Sequence, residues 1–409
     1  MKIQGRKQNR RDFFKKSLAG VAGISLLSKH PKGENHSSRE ANTMKENKII
    51  TRKLGQTDIQ VPIIGLGATN QAVTRAALDA GVIYLDTAYY YGAGEHETML
   101  GKVLKGRPRD SFVVATKIQG PMDYRTGLAP KKTSAEEFKS EFKRKTEISL
   151  KRLQLDYVDI LFVHGVKNPG LIGFRPLKDA LQELKREGKT RFIGPSFHQK
   201  EVSLIYTTVK EKIYDVILTS YNFRQPHKQE VKKAIAHAAQ AGLGIVAMKA
   251  MAGVYWDKQR KYPINAKAAL KWILQDENVH TTIPGINTFE QLELDLSVMA
   301  DLTLTPQEKA DLEFGEKQDM VGLYCAHCGR CRDQCRYHLD IPTIMRSYMY
   351  AYGYRNPAKA KGTLSEKNPN EITCRSCTTC KVSCTHGFDV PRKVQDIIRI
   401  LEVPDDFLV

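Results

Sequence analysis

The run YVDILFVHG, residues 157–165, decides the fold. It is a short apolar segment set between two stretches of helical spacing, 134–153 and 176–188. The same alternation recurs along the chain. Strand-like segments read as VPIIGLGA (61–68), VIYLDTA (82–88), FVVATKI (112–118), RFIGPS (191–196), DVILTSYN (215–222), GIVAMKA (244–250) and TTIPGI (281–286). Between them lie AVTRAALDAG (72–81) and the helical stretches 226–241, 264–275 and 288–298. Short apolar strands alternating with amphipathic helices imply a parallel sheet covered by helices. Eight of them in about 250 residues predict an α/β TIM (β/α)8 barrel over residues 48–318. An open doubly wound sheet is disfavoured, because GLGATNQ after the first run has the wrong glycine spacing for a dinucleotide fingerprint. RKLGQTDIQVP (52–62) predicts a hairpin ahead of the first strand.

After Pro306 the alternation stops and the cysteines begin. CAHCGRCRDQC (325–335) and CRSCTTCKVSC (374–384) contain all eight. Both are C-x2-C-x2-C-x3-C combs, followed at the same offset by HLDIP and GFDVP, which marks an internal duplication. This spacing resembles bacterial-type ferredoxins with two [4Fe–4S] clusters. The resemblance implies a small ferredoxin-like iron–sulfur domain over residues 319–409. It also implies crossed ligation: Cys325, Cys328, Cys331 and Cys384 on one cluster, and Cys374, Cys377, Cys380 and Cys335 on the other. Arg336 and Thr385 stand where that family usually has proline. Disulfides and zinc are the competing readings. Disulfide scaffolds rarely follow a large barrel, and zinc sites usually pair C-x2-C units across a longer loop.

The stretch YLDTAYYYGAGEHETMLGKVL (84–104) resembles the aldo-keto reductase family, and the similarity extends over most of residues 50–300. The resemblance implies a catalytic set at the strand ends: Asp86 in LDTA, Tyr91 before Gly92, Lys117 in ATKI and His164 in FVHG. At the mouth of a barrel these would converge. Tyr91 would be the general acid/base, with its pKa lowered by Lys117. Asp86 would balance the lysine and His164 would orient the substrate oxygen. The family also implies NADP or NAD as cofactor. Ser196 and Asn222 would hold the carboxamide, Tyr221 or a later residue would pack on the ring, and the segment with Gly285, Asn287 and Gln291 would meet the adenosine phosphate. Lysine or arginine, common there in NADP-preferring members, is missing from those three positions.

Two further features bear on function. The chain of 409 residues carries a formal net charge of +19, which favours an anionic substrate, cofactor, partner or membrane surface. The basic residues are scattered and no DNA-reading motif is present, so no nucleic-acid partner is expected. At the N-terminus, Arg10-Arg11-Asp12-Phe13-Phe14-Lys15 and the apolar run Leu18 to Leu27 resemble a twin-arginine export signal over residues 1–28. A polar linker, 29–47, follows. These features predict a periplasmic protein, or one retained by the uncleaved segment on the outer face of the cytoplasmic membrane. The expected substrate is a small carbonyl or alcohol, such as a sugar. A hydride carries two electrons and a cluster takes one, and no flavin motif is visible. The clusters would therefore serve a separate electron-transfer partner or brace the C-terminal lobe. The rival reading is an iron–sulfur electron-transfer protein whose barrel is a non-catalytic docking or nucleotide-sensing scaffold.

Overall fold

The computed structural model describes residues 49–123, 126–253, 262–317, 325, 330–353, 356–365, 377, 380–385 and 387–408. The expected export signal and linker lie outside the described residues, as do Cys328 and Cys374. Among the described residues no helix is long and apolar enough to cross a membrane.

The chain opens with the expected hairpin, β1 (Thr51–Lys53) antiparallel to β2 (Gln60–Pro62). Seven parallel strands follow: β3 (Tyr84–Asp86), β4 (Val113–Ile118), β5 (Val158–Val163), β6 (Thr190–Phe197), β7 (Val216–Ser220), β8 (Gly244–Met248) and β9 (Thr281–Thr282). They are hydrogen-bonded in sequence order as one curled sheet. The eighth stave expected at 61–68 is not a regular strand. It survives as residues 63–67, which bridge the two sheet edges through Ile64 to Thr282 and Leu66 to Leu85, both parallel. On one side Gly65 N donates to Thr282 O at 2.8 Å, and on the other Leu66 N donates to Tyr84 O at 2.8 Å. The ring is thereby closed. A side chain at Gly65 would collide with Tyr84, whose backbone oxygen lies 2.9 Å from where the Cβ would sit.

Among the described residues ten helices cover the barrel: α1 (Gln71–Asp79), α2 (Glu95–Leu104), α3 (Ala135–Leu153), α4 (Pro169–Ile172), α5 (Arg175–Arg186), α6 (Glu201–Glu211), α7 (Lys228–Gln240), α8 (Ala266–Leu274), α9 (Phe289–Ala300) and α10 (Pro306–Lys317). The long α3 starts where its sequence says it should. Ser134 and Glu137 form a reciprocal capping box, and Phe138, Phe142 and Leu150 face the core. Leu54, Ile59 and Val61 of the hairpin region pack with Tyr84, Ala115, Phe162 and Leu218, so the hairpin plugs the barrel interior.

The C-terminal lobe contains α11 (Ile341–Tyr348), α12 (Pro357–Ser365) and α13 (Val390–Ile398). The duplication is visible in its build. Asp340 and Asp389 are the N-cap residues of α11 and α13, each with proline in the first turn. The two helices share one apolar core that includes Ile344, Met345, Val394 and Ile397. The unrepeated segment between them carries α12, which reaches across to the barrel: a Cβ added to Gly362 would lie 3.5 Å from the Cα of Gly92. Barrel and lobe form one compact unit.

Candidate active site

The inward side chains of the sheet follow a period of two. Tyr84, Val113, Ala115, Ile160, Phe162, Val216 and Leu218 belong to the barrel's inner core, with Phe192 packed against it. Extending that alternation to the C-terminal ends places Asp86, Lys117, His164, Ser196, Ser220 and Asn222 on the inner face. Six polar side chains from five neighbouring strands therefore meet at one mouth, as barrel geometry requires.

Asp86 and Lys117 are 1% and 2% exposed. Lys117 Nζ pairs with Asp86 Oδ1 and donates to Thr87 O at 2.7 Å. Burial lifts the Asp86 pKa above the ordinary carboxylate value, against the opposing pull of Lys117 and then Lys359. Beyond β3 the chain folds back sharply. Gly92, Ala93 and Gly94 all have positive φ, at 56°, 51° and 99°. That turn, which the Tyr-Gly-Ala-Gly sequence permits, returns Tyr91 over the mouth. The ring of Tyr91 lies with its centroid 4.9 Å from Lys117 Nζ and 6.0 Å from the His164 ring, edge-on at 78°. All four expected catalytic residues thus come together.

His164 is held well below its usual pKa, first by burial, then by Lys117 and Arg346. It is a neutral imidazole. A second histidine, His96, stands on the other side of Tyr91, 6.1 Å between centroids. Its Nε2 accepts from Thr69 N at 3.2 Å, so its proton sits on Nδ1, which faces Thr87 Oγ1 at 2.8 Å. Burial, Lys359 and Lys117 together lower its pKa to about 3. Sequence reasoning missed His96. Its only signal was a position five residues after Tyr91, where a lone histidine is uninformative.

On the cofactor side, Ser196 Oγ accepts from Gly165 N at 3.1 Å and donates to Val163 O at 3.2 Å. Asn222 is fully buried, and its Oδ1 accepts from Arg224 N at 3.1 Å. Its Nδ2 is buried with no partner among the described residues. A buried amide donor left unsatisfied at a barrel mouth fits a carboxamide oxygen, which would complete it. Tyr221 departs from expectation. The alternation that sends Ser220 and Asn222 inward sends Tyr221 outward. Its ring packs against Trp272 at 5.1 Å, and its hydroxyl faces Asp276 Oδ2 at 3.4 Å. It belongs to the sheet–helix layer and is not placed to stack on a nicotinamide.

The expected phosphate segment is also differently engaged. Gln291 Oε1 accepts from Asn287 N at 2.7 Å and Thr288 N at 3.3 Å, completing a capping box with Thr288. Asn287 O accepts from Asn70 Nδ2 at 2.8 Å. These side chains and amides are spent on capping α9, while Gly285 is exposed beside Ala68.

No sequence signal places the C-terminal lobe at this site. Lys359 of α12 brings its ammonium to 5.8 Å from the Tyr91 ring centroid. Arg346 of α11 acts electrostatically on His164 and on Lys249. Lys249 ends β8 with φ at 60°, and burial, reinforced by Arg346, lowers its pKa to about 8.

In the lobe itself a cavity of about 290 Å³ is lined by Cys335 of the first comb and Cys377 and Cys380 of the second, against Ile341, Val390 and Val394. Cys325, Cys331 and Cys384 pack into the same lobe core. No disulfide joins any two of the six described cysteines. Among the described residues no group of three ligands closes around a single metal ion. Thiolates from both combs around one apolar-walled cavity suit a polynuclear cluster, whose ligands stand farther apart than those of a lone ion. They also match the crossed pattern, in which Cys335 joins the second comb.

Comparison with known proteins agrees with this geometry. Residues 68–267 match the Aldo/keto reductase family, and residues 324–389 match the 4Fe-4S dicluster domain. L-galactose dehydrogenase of Arabidopsis thaliana is 29% identical over 300 residues, 62% of this chain and 89% of that protein. The oxidoreductase YqkF of Bacillus subtilis (strain 168) is 26% identical over 314 residues, 68% and 98% of the two chains. Among solved structures, the holo form of aldo-keto reductase AKR11C1 from Bacillus halodurans superimposes with a TM-score of 0.52 at 25% identity, covering 66% of this chain and 97% of its own. The chain thus carries a TIM-like barrel similar to the Aldo/keto reductase family, followed by a region that matches the 4Fe-4S dicluster domain.

Proposed function

We propose that this protein is an oxidoreductase that interconverts a carbonyl and an alcohol with NADP or NAD, and that it carries two [4Fe–4S] clusters. The observation that carries the reading is the convergence of Asp86, Lys117, Tyr91 and His164 at one barrel mouth. Ser196 and Asn222 would hold the carboxamide, and the nicotinamide, when bound, supplies or accepts hydride at the reacting carbon. The chain's own residues manage the proton. In reduction the Tyr91 hydroxyl protonates the carbonyl oxygen, and in oxidation it takes that proton back. The Lys117 ammonium, 4.9 Å from the ring centroid, stabilises the phenolate left behind. Asp86 supplies the counter-charge to that ammonium inside a buried site. Neutral His164 donates a ring N–H to the same oxygen and orients it.

Several further attributes belong to this reading. The Arg10-Arg11 pair supports twin-arginine export to the periplasm or to the outer face of the cytoplasmic membrane. A folded, cofactor-loaded protein suits that route. Relatives named for L-galactose and D-threo-aldose support a polyhydroxylated substrate. The docking of α12 on the Tyr91 turn favours clusters that brace the lobe. The test is Tyr91→Phe in protein with its iron retained. Carbonyl reduction is expected to fall roughly 10²- to 10⁴-fold while nicotinamide nucleotide still binds. Turnover unchanged in Tyr91→Phe would overturn the role given to Tyr91, and nucleotide binding without turnover by the unaltered protein would leave the scaffold reading standing instead.

A further inference from the structure

The proton-delivery scheme leaves Lys359 unused. Its ammonium lies 5.8 Å from the Tyr91 ring centroid and 4.5 Å from that of Tyr350. Its charge reaches Asp86 and His96. Asp86 is already committed to Lys117, and Lys359 forms no ion pair with a carboxylate among the described residues. An ammonium held over aromatic faces keeps its hydrogen-bonding positions open to an anion.

The charge balance of the mouth points the same way. Lys117 and Asp86 cancel, and His96 and His164 are neutral. Lys359 then adds a positive charge 5.8 Å from the Tyr91 ring centroid. A cation without an ion pair beside the reacting group draws ligands of the opposite sign. Lys359 also sits on the substrate side. It neighbours Tyr91, which must touch the reacting oxygen, whereas Ser196 and Asn222 mark the carboxamide.

We propose that Lys359 is a substrate-binding residue supplied to the barrel by the iron–sulfur lobe, and that the substrate is a small carbonyl or hydroxy compound bearing a carboxylate or phosphate near its reacting carbon. This rests on the reductase reading above and narrows it to anionic members of that class. It also gives the lobe a reason to be joined to the barrel: without α12 the mouth has no Lys359.

The test uses full-length, iron-loaded protein and matched substrate pairs. Succinic semialdehyde is compared with butanal, and glyceraldehyde 3-phosphate with glyceraldehyde. For one pair the anionic member is expected to be favoured in kcat/KM by roughly 10- to 100-fold, the effect of a charge-assisted hydrogen bond. The pair showing it tells carboxylate from phosphate. Lys359→Met should bring that ratio toward one, mainly through KM, and Lys359→Arg should restore part of it, with iron content reporting an intact lobe. Equal use of both members by the unaltered protein, or a ratio unchanged in Lys359→Met, overturns the proposal. If the unaltered protein reduces neither member of either pair, the reductase reading fails on its own. Calorimetric titration with succinate and with inorganic phosphate then decides the anion site. Binding weakened at least about tenfold by Lys359→Met upholds it, and no binding of either anion rejects it.

Discussion

Lys359, carried between the two cysteine combs, stands 5.8 Å from the ring of Tyr91 at the end of the first barrel turn. The two are separated by most of the chain, yet the lobe's α12 is seated on the turn that carries Tyr91. What holds α12 is therefore part of what shapes the barrel mouth. Cys335 before it and Cys377 and Cys380 after it line one cavity. A cluster bound by these thiolates would tie the two ends of the intervening segment together.

Removing iron should therefore disturb the barrel's chemistry as well as the lobe. Anaerobic chelation is expected to lower carbonyl reduction on the order of 100-fold, the effect of misplacing a positioned group by about 1 Å. The measurement is turnover and iron content followed in the same sample. Turnover that stays constant as iron is lost would mean that α12 holds its place unaided.

The buried pair at the mouth makes a second prediction. Asp86→Asn leaves Lys117, 2% exposed, with only the Thr87 carbonyl and no counter-charge. Breaking a buried pair from one side costs about 3–5 kcal/mol. Replacing both, with Asp86→Asn and Lys117→Met, should recover much of that loss. Turnover should stay low in both variants, because the phenolate has lost its ammonium or that ammonium its charge. Denaturant unfolding of the two variants, beside turnover, separates stability from chemistry.

A third prediction concerns the turn behind Tyr91. Gly94 has φ at +99°, and a Cβ there would sit 2.2 Å from the guanidinium carbon of Arg152. Arg152 donates to Tyr89 O at 2.9 Å and pairs with the fully buried Glu97 at 3.2 Å. Gly94→Ala should expel Arg152, loosen the Tyr89 to Tyr91 turn and leave Glu97 with Thr116 alone. The expected loss is about 3–5 kcal/mol, matched by Arg152→Met. Because both changes remove the same pair, the double variant should cost less than the sum of the two, its excess over Arg152→Met being the strain of alanine at that φ. Additive losses in urea unfolding would show that the steric clash and the ion pair are separate.

Much of this was legible in the sequence, for identifiable reasons. Strand ends are local, and the period of two fixes which side chains face inward, so Asp86, Lys117 and His164 could be read before any coordinates. The same alternation turns Tyr221 outward against Trp272. There a reading by family position missed what strand geometry dictates. The first stave looked like the others because apolar content does not reveal register, and only the bridges at Ile64 and Leu66 show how little of it is regular strand. The approach of Lys359 had no signal at all. It comes from the docking of an unrepeated insertion, which no periodicity encodes.

Asp295 gives the sharpest dependence on pH. It lies on α9, 3% exposed, and its Oδ2 has no partner among the described residues. Burial raises its pKa from 3.8 to about 8. In the unfolded chain the same group ionises near pH 3.9. A folded pKa above the unfolded one means that the folded state keeps a proton the unfolded state has released. The group's contribution is complete below about pH 4 and is lost steadily as pH rises toward 8. Asp295→Asn keeps the shape and removes the titration. Relative to the unaltered protein its stability should differ little at pH 4 and exceed it by on the order of a few kcal/mol at pH 8. Urea unfolding of both proteins across that range is the measurement. A stability difference that does not vary with pH would mean that Asp295 ionises in the folded protein as freely as in the unfolded chain.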